Sequence, residues 1–350
     1  MTDFPAPSEY GFAMPPEWSR QEGVFLSWPH NPATWPATMP EIRKIFAKFA
    51  AAISRYEKVC ILRGNAAAES ILEELCEANA TMNNVRIFDI RTNDVWCRDH
   101  GPVFVRNAAT GERAIVDFNY NAWGGKFPPW DADNAVPGCL AEELKMKRFS
   151  IPIVCEGGAL EINSLGDLMT TETVLLNPNR NPGIGKEQME TILKAALGAK
   201  NILWLKQGLV GDDTDGHIDT LARFVRDDAI LAAVDETPSG RNREVLRENI
   251  RILERNCNLK GEKFEIIPLP CPDPIEPEGW RETVLPATYT NYLILNGAVL
   301  APSYRNDKYD AKACEILSRC FPRHKVEMID CFDIILEGGA LHCLSQQMPA

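Results

Sequence analysis

One phrase occurs twice in the chain, as EGGALEI at 156–162 and EGGALHC at 337–343, and only the second copy ends in a thiol. Most cysteines are small buried hydrophobes, and Cys60, Cys155 and Cys314 read that way. Cys343 differs because it follows His342 and closes a glycine turn. A thiolate nucleophile needs a partner that moves protons. His217 in GDDTDGHID (211–219) supplies one, and a strand there would put His217 and Asp219 on one face. Asp99, near Trp96 and His100 in NDVWCRDHGPVFV (93–105), and Glu156 add carboxylates from other parts of the chain. A Cys-His pair alone would serve an amide hydrolase. Facing carboxylates suit a planar cation, because guanidinium donors bind carboxylates in a fork.

Other chemistries fit poorly. Aligned on Asp215-Gly216, a calcium loop would need ligands at Gly211 and Ala222, which cannot supply them. No second His or Cys stands at zinc-ligand spacing near His217. PGIGKE (182–187) lacks the first glycine and the hydroxyl residue of a phosphate loop. His30, His100 and His324 have no chemical company and read as surface or packing residues. The net charge of −12 argues against nucleic acid or an anionic membrane as partner. No apolar run approaches the ~20 residues that span a bilayer. MTDFPAPSEYGF lacks the basic start and apolar stretch of a signal peptide. Eleven scattered cysteines without a C-x-x-C pair point to free thiols in the cytoplasm.

The elements that must position these residues recur. Pro40 opens a helix with Ile42, Ile45, Phe46, Phe49 and Ile53 on one face, and VCIL (59–62) follows as a strand. Helices at 139–147, 186–197, 241–256 and 309–320 each precede a strand, at 151–155, 202–205, 264–269 and 325–329. An extra helix at 66–79 leads to VRIFDI (85–90). Between them lie paired β-like runs, among them PVFV with IVDF, GALEI with TVLL, and NYLIL with AVLAP. The unit is strand-strand-helix-strand, complete four times between about 98 and 330. A fifth requires the last strand (341–346) to join the first (23–27), the closure by which a propeller removes sheet edges. No linker divides residues 1–350, so one domain is expected. The polar-glycine steps at Asp99/Gly101, Glu156-Gly157, Gly216-His217 and Glu337-Gly338 then read as scaffold turns aimed at a common axis.

Over nearly its whole length the chain resembles the agmatine deiminases of the guanidino-group-modifying (pentein) superfamily. The motifs are MPPEWSRQEGVFLSWPHNPATWP, NDVWCRDHGP, FNYNAWGGK, CEGGALEI, GDDTDGHID, LPATYTNYLILNGAVLAP and GGALHCLSQQMP. The resemblance implies a five-bladed α/β propeller of ββαβ repeats with pseudo-fivefold symmetry, closed by its terminal segments. It implies hydrolysis of agmatine to N-carbamoylputrescine and ammonia, in polyamine supply, without cofactor or metal. Cys343 would be the nucleophile, His217 the acid and base, Glu156 its partner, and Asp99 and Asp219 the guanidinium ligands. Trp96, Trp123 and Asp213 match positions that line the family's substrate pocket. One departure stands out: the family usually reads G-G-G-N-I-H-C, where this chain has Glu337 and Ala340.

The competing classes are a thiol hydrolase of amides and a non-catalytic polyamine-binding protein. A neutral carbonyl needs donors around its oxygen, not acids, which disfavours the first. Substrate choice is expected at the far end of the pocket, where Asp212, Asp213, Asp215, Trp96 and Trp123 favour an amine over arginine's carboxylate. Arg98 is expected to point away from Asp99. The sequence is compatible with a homo-oligomer and leaves that state open.

Overall fold

The computed structural model describes residues 4–278 and 282–350. Met1–Asp3 of the segment read for a signal peptide lie outside the described residues. The fold is mixed α/β, its strands falling into five sheets of three or four strands each. Four sheets share one wiring: two antiparallel strands, a helix, and a third strand parallel to the second. Val103–Asn107 and Arg113–Asn119 pair in this way, and Asp131–Leu144 leads to Lys147–Val154. Ala222–Arg226, Ala229–Val234 and Glu265–Pro270 repeat it around Arg243–Arg255. The two chain ends build the fifth sheet together: Ser345–Pro349 lies antiparallel to Gln21–Ser27, which runs parallel to Lys58–Leu62.

Local physics explains the elements. In Met39–Ser54, Pro40 sits in the first turn, where its missing N–H costs nothing. Ile42, Phe46, Phe49 and Ile53 recur at three- and four-residue steps and are fully buried. The parallel strands read as nearly continuous apolar runs because both faces are covered, as in Ala229–Val234.

Several expected elements shift. The helix expected at 139–147 runs from Asp131 to Leu144, with Pro137 inside it. Proline usually marks a helix start or break, so the earlier turn is hidden in the sequence. TVLL is not a strand: Glu172–Leu175 is a helical turn, and the strand is Asp167–Thr171. Its first residue is a buried aspartate held by Asn163 and Asn201, each at 2.8 Å, and that polar start masks it. The last strand begins at Ser345 rather than 341, because Ala340–Leu344 is folded into a turn by Leu344 N–H donating to Ala340 C=O. Among the described residues no helix is long and apolar enough to cross a membrane.

Candidate active site

The polar-glycine phrases are short turns, not strand starts. Cys97–His100 is one helical turn, and Gly157–Ala159, Ile218–Thr220 and Ile335–Glu337 are 3₁₀ turns. Glycine is required where they converge. A Cβ on Gly157 would lie 2.2 Å from the Arg98 carbonyl oxygen, and one on Gly158 2.5 Å from His217 Nδ1. This replaces the strand expected at His217 and Asp219. His217 is extended, Gly216 before it has φ +112°, and Asp219 lies in the 3₁₀ turn that follows. The turn keeps both side chains in one cluster by a route that strand alternation does not describe.

Asp99, Glu156, His217, Asp219 and Cys343 form that cluster, all buried. His217 Nδ1 is 3.5 Å from Asp99 Oδ1, and Nε2 is 4.0 Å from Glu156 Oε2. These are charge contacts; neither ring nitrogen has a hydrogen-bond partner among the described residues. Burial by itself lowers the His217 pKa, but the carboxylates of Asp99, Glu156, Asp219 and Asp212 outweigh it, and the net shift is upward. Asp99 accepts from Trp123 Nε1 at 3.0 Å and from Gly158 N–H at 3.1 Å. Burial, reinforced by Asp219 and Glu156, still raises its carboxyl to about 6 against the pull of His217.

Asp219 is different. Burial would raise it, yet the hydrogen bond and charge of His342, with His217 and Arg223, hold it below the usual range. Its Oδ2 lies 2.7 Å from His342 Nδ1 and 3.7 Å from Cys343 Sγ, and its buried Oδ1 has no partner among the described residues. Burial pushes the Cys343 thiol well up, with Asp219 and Asp99 adding to the effect. Asn291 opposes this: its Nδ2 donates to Sγ at 3.1 Å while its Oδ1 accepts from Cys343 N–H at 3.3 Å.

A pocket with a cavity volume of ≈ 270 Å³ reaches Asp99 and Cys343. Trp96, Trp123 and Asp213 line it, as do Asp94, Asp133 and Glu337, while His217, Glu156 and Asp219 are not among its lining residues. The acidic rim therefore differs from expectation. Asp212 is part-buried and bonded to Thr214, and Asp215 pairs with Arg180 and with Lys126 at 2.8 Å. Asp94 and Asp133 are each raised to about 7 by burial, Asp94 also by Asp133 and Glu337. Arg98 does turn away, but from a helical turn, donating to His342 C=O at 3.3 Å and to Gln346 and Gln347. His100 is buried beside Ser27 Oγ at 3.3 Å, and burial lowers its pKa to about 3, consistent with a packing histidine. Among the described residues no group of His, Cys, Asp and Glu is arranged to hold a metal.

Three neighbours escaped the sequence reading. Arg180 Nε donates to Glu156 Oε1 at 2.8 Å, and its Nη2 to Thr214 C=O at 2.9 Å. Asn291 holds the thiol, and the polar stretch TYTN before an apolar strand is the signal that could have found it. Glu17 meets His342 Nε2 at 2.8 Å.

A buried thiol beside acceptor carboxylates and a histidine, in a mixed α/β fold of five small sheets, narrows the class. Residues 13–349 match the family described as Porphyromonas-type peptidyl-arginine deiminase, which places the chain among hydrolases that act on carbon–nitrogen bonds. The agmatine deiminases of Medicago truncatula and Pseudomonas syringae pv. syringae are each 35% identical to it, over 98% of this chain and 98% and 97% of theirs. The solved agmatine deiminase of Enterococcus faecalis superposes with a TM-score of 0.91 at 28% identity, covering 98% of this chain and 97% of that one. A cysteine-to-serine variant of the C. jejuni agmatine deiminase with substrate bound gives 0.86 at 33% identity, covering 97% and 96%. The chain belongs to the agmatine deiminase family.

Proposed function

We propose that this protein hydrolyses agmatine to N-carbamoylputrescine and ammonia through a covalent amidino-thioether on Cys343. The observation that carries this reading is the Cys343 thiol set against Asp219, where one pocket reaches both the thiol and the Asp99 carboxylate. Asp99 and the unpartnered Oδ1 of Asp219 accept guanidinium N–H donors and fix its plane. The cation then offsets the carboxylates that hold the thiol protonated, so binding itself promotes the thiolate. Sulfur attacks the central carbon, and charged His217 protonates the departing nitrogen, releasing ammonia. Neutral His217 takes a proton from water, which adds to the same carbon; the C–S bond breaks, the urea-type product leaves and the thiol is restored. Glu156 favours the charged form of His217 that delivers the proton to the leaving nitrogen.

The pocket rim supports agmatine over arginine. Lys126 is the cation among the described lining residues, and its Nζ donates to Asp213 C=O at 2.6 Å and to Asp215. Burying arginine's carboxylate among Asp94, Asp213 and Glu337 without a partner costs several kcal/mol. The pairing of residues 345–349 with 21–27 supports a single-domain five-bladed propeller with pseudo-fivefold symmetry, closed by its ends. Eleven free thiols support a cytoplasmic setting, and the product suits putrescine synthesis. Ammonia release from agmatine and from arginine at equal concentration tests the reading. Fast release from agmatine and little from arginine is expected; no release from agmatine overturns it.

A further inference from the structure

Both ring nitrogens of His342 face carboxylates, although His342 is only 1% exposed. Nδ1 lies 2.7 Å from Asp219 Oδ2, and Nε2 lies 2.8 Å from Glu17 Oε2. A carboxylate oxygen can only accept, so both ring nitrogens are placed to donate. Glu17 is itself pinned. Its Oε2 also accepts from Arg223 Nη2 at 2.6 Å, and its Oε1 from Ile294 N–H at 2.7 Å. Arg223 continues the chain to Glu161 at 2.7 Å and to the Thr290 and Tyr292 carbonyls, which flank the Asn291 that holds the thiol. Glu161 and His342 occupy the same place in the two copies of the repeated phrase, immediately after EGGAL. The repeat therefore supplies two members of one buried ionic line, and Glu17 with Arg223 joins them, Glu17 reaching His342 across more than three hundred residues of sequence.

We propose that Glu17 is a positioning residue for the deiminase site, acting through His342 on Asp219. By keeping His342 a double donor, Glu17 fixes Asp219 through Oδ2, so that the unpartnered Oδ1 is kept for a guanidinium donor. Without the Glu17 charge, His342 keeps one proton and one ring acceptor, so Asp219 is held by at most a neutral N–H donor, a weaker restraint than a charged one. This rests on the deimination reading only for its kinetic arm.

The experiment has two arms. The first is long-range ¹⁵N–¹H spectroscopy of the histidine rings at pH 7.5 in wild type, Glu17→Gln and His342→Gln. The chain has only five histidines, and His342 is assigned by the signal lost in His342→Gln. Wild type should show the His342 ring protonated at both nitrogens, and Glu17→Gln should show it neutral. The second arm is steady-state ammonia release. A hydrogen bond to a charged group is worth ~1.5–3 kcal/mol, so in Glu17→Gln the KM for agmatine should rise about 10- to 100-fold, more than kcat falls. A purely structural role would lower the folded fraction and leave KM of the remainder unchanged. A neutral His342 ring in wild type overturns the proposal, as does a Glu17→Gln enzyme with wild-type KM. If Glu17→Gln does not fold, the wild-type ring state decides. Wild type that releases no ammonia overturns the reaction instead, and the ring measurement still stands on its own.

Discussion

Arg180→Met isolates a fully buried ion pair beside the site. Arg180 and Glu156 side chains are both fully buried, joined by the 2.8 Å bond from Nε to Oε1. Arg180 also holds Asp215 and the Thr214 carbonyl, two and three residues before His217. Methionine fills much of the stem volume but leaves the Glu156 carboxylate without its cation. Breaking a buried pair in this way costs ~3–5 kcal/mol. At ~2.1 cal/mol/K per residue, the unfolding entropy of such a chain is about 0.7 kcal/mol/K, so Tm should fall by about 4–7 °C. The loop before His217 would lose the Arg180 contacts at Thr214 and Asp215, and the ammonia-release step would slow. Calorimetry with single-turnover ammonia release measures both consequences. Arg180→Lys, which keeps the charge but not the fork, should recover only part of each. An Arg180→Met protein with unchanged Tm and rate would refute the claim that this pair supports both Glu156 and the His217 loop.

The other expectations follow from single contacts. Gly158→Ala should cut kcat by more than about 10-fold in a folded protein, since its Cβ would sit 2.5 Å from His217 Nδ1 and 2.7 Å from Asp99 Oδ1; a wild-type rate in stopped-flow assays would count against this packing. Trp123→Phe removes the 3.0 Å donor to Asp99, a bond worth ~1.5–3 kcal/mol, and should raise KM about tenfold or more with little change in Tm. In the free enzyme Asp99 titrates near 6, so kcat/KM should fall with pH below that value as the guanidinium loses an ionised acceptor. Stability runs the other way over the same range. Asp94, Asp99 and Asp133 have folded pKa values of about 7, 6 and 7 against 3.8 for an unperturbed aspartate, so the folded state binds more protons between pH 4 and 7. Their contribution is fully present below pH 4 and is lost as pH rises through 6 to 7. Chemical denaturation at pH 5 and pH 7.5 should find less stability from these groups at the higher pH, and Asp94→Asn should flatten the difference.

Sequence periodicity located most helices because apolar faces at three- and four-residue steps bury against sheets, as in Met39–Ser54. The repeat count also anticipated that the two ends pair, since only four units were complete and the fifth needed both ends of the chain. Periodicity failed where tertiary contacts override local propensity: Asp167 starts a strand as a buried acid, and TVLL turns into a helix despite its β-branched residues. Residue types and glycine turns pointed to Asp99, Glu156, His217, Asp219 and Cys343, and the fold brings these five together. Trp96, Trp123 and Asp213 reach the same pocket. Arg180, Glu17 and Arg223 were illegible for a physical reason. A buried charge reveals itself only through its partner, and these partners lie 24 to 325 residues away. The acidic rim was misjudged only at Asp212 and Asp215, the latter neutralised by Arg180 and Lys126 from distant segments.

The covalent step is the centre of the account, and intact-protein mass spectrometry of enzyme acid-quenched during agmatine turnover tests it most directly. The thiol exchanges its proton for the amidino carbon as ammonia departs, so the protein should gain the mass of agmatine less one ammonia. Peptide mapping should put that mass on Cys343, and Cys343→Ser should be folded, inactive and without adduct. An adduct on another residue, or full turnover by Cys343→Ser, would contradict the assignment of Cys343 as the nucleophile.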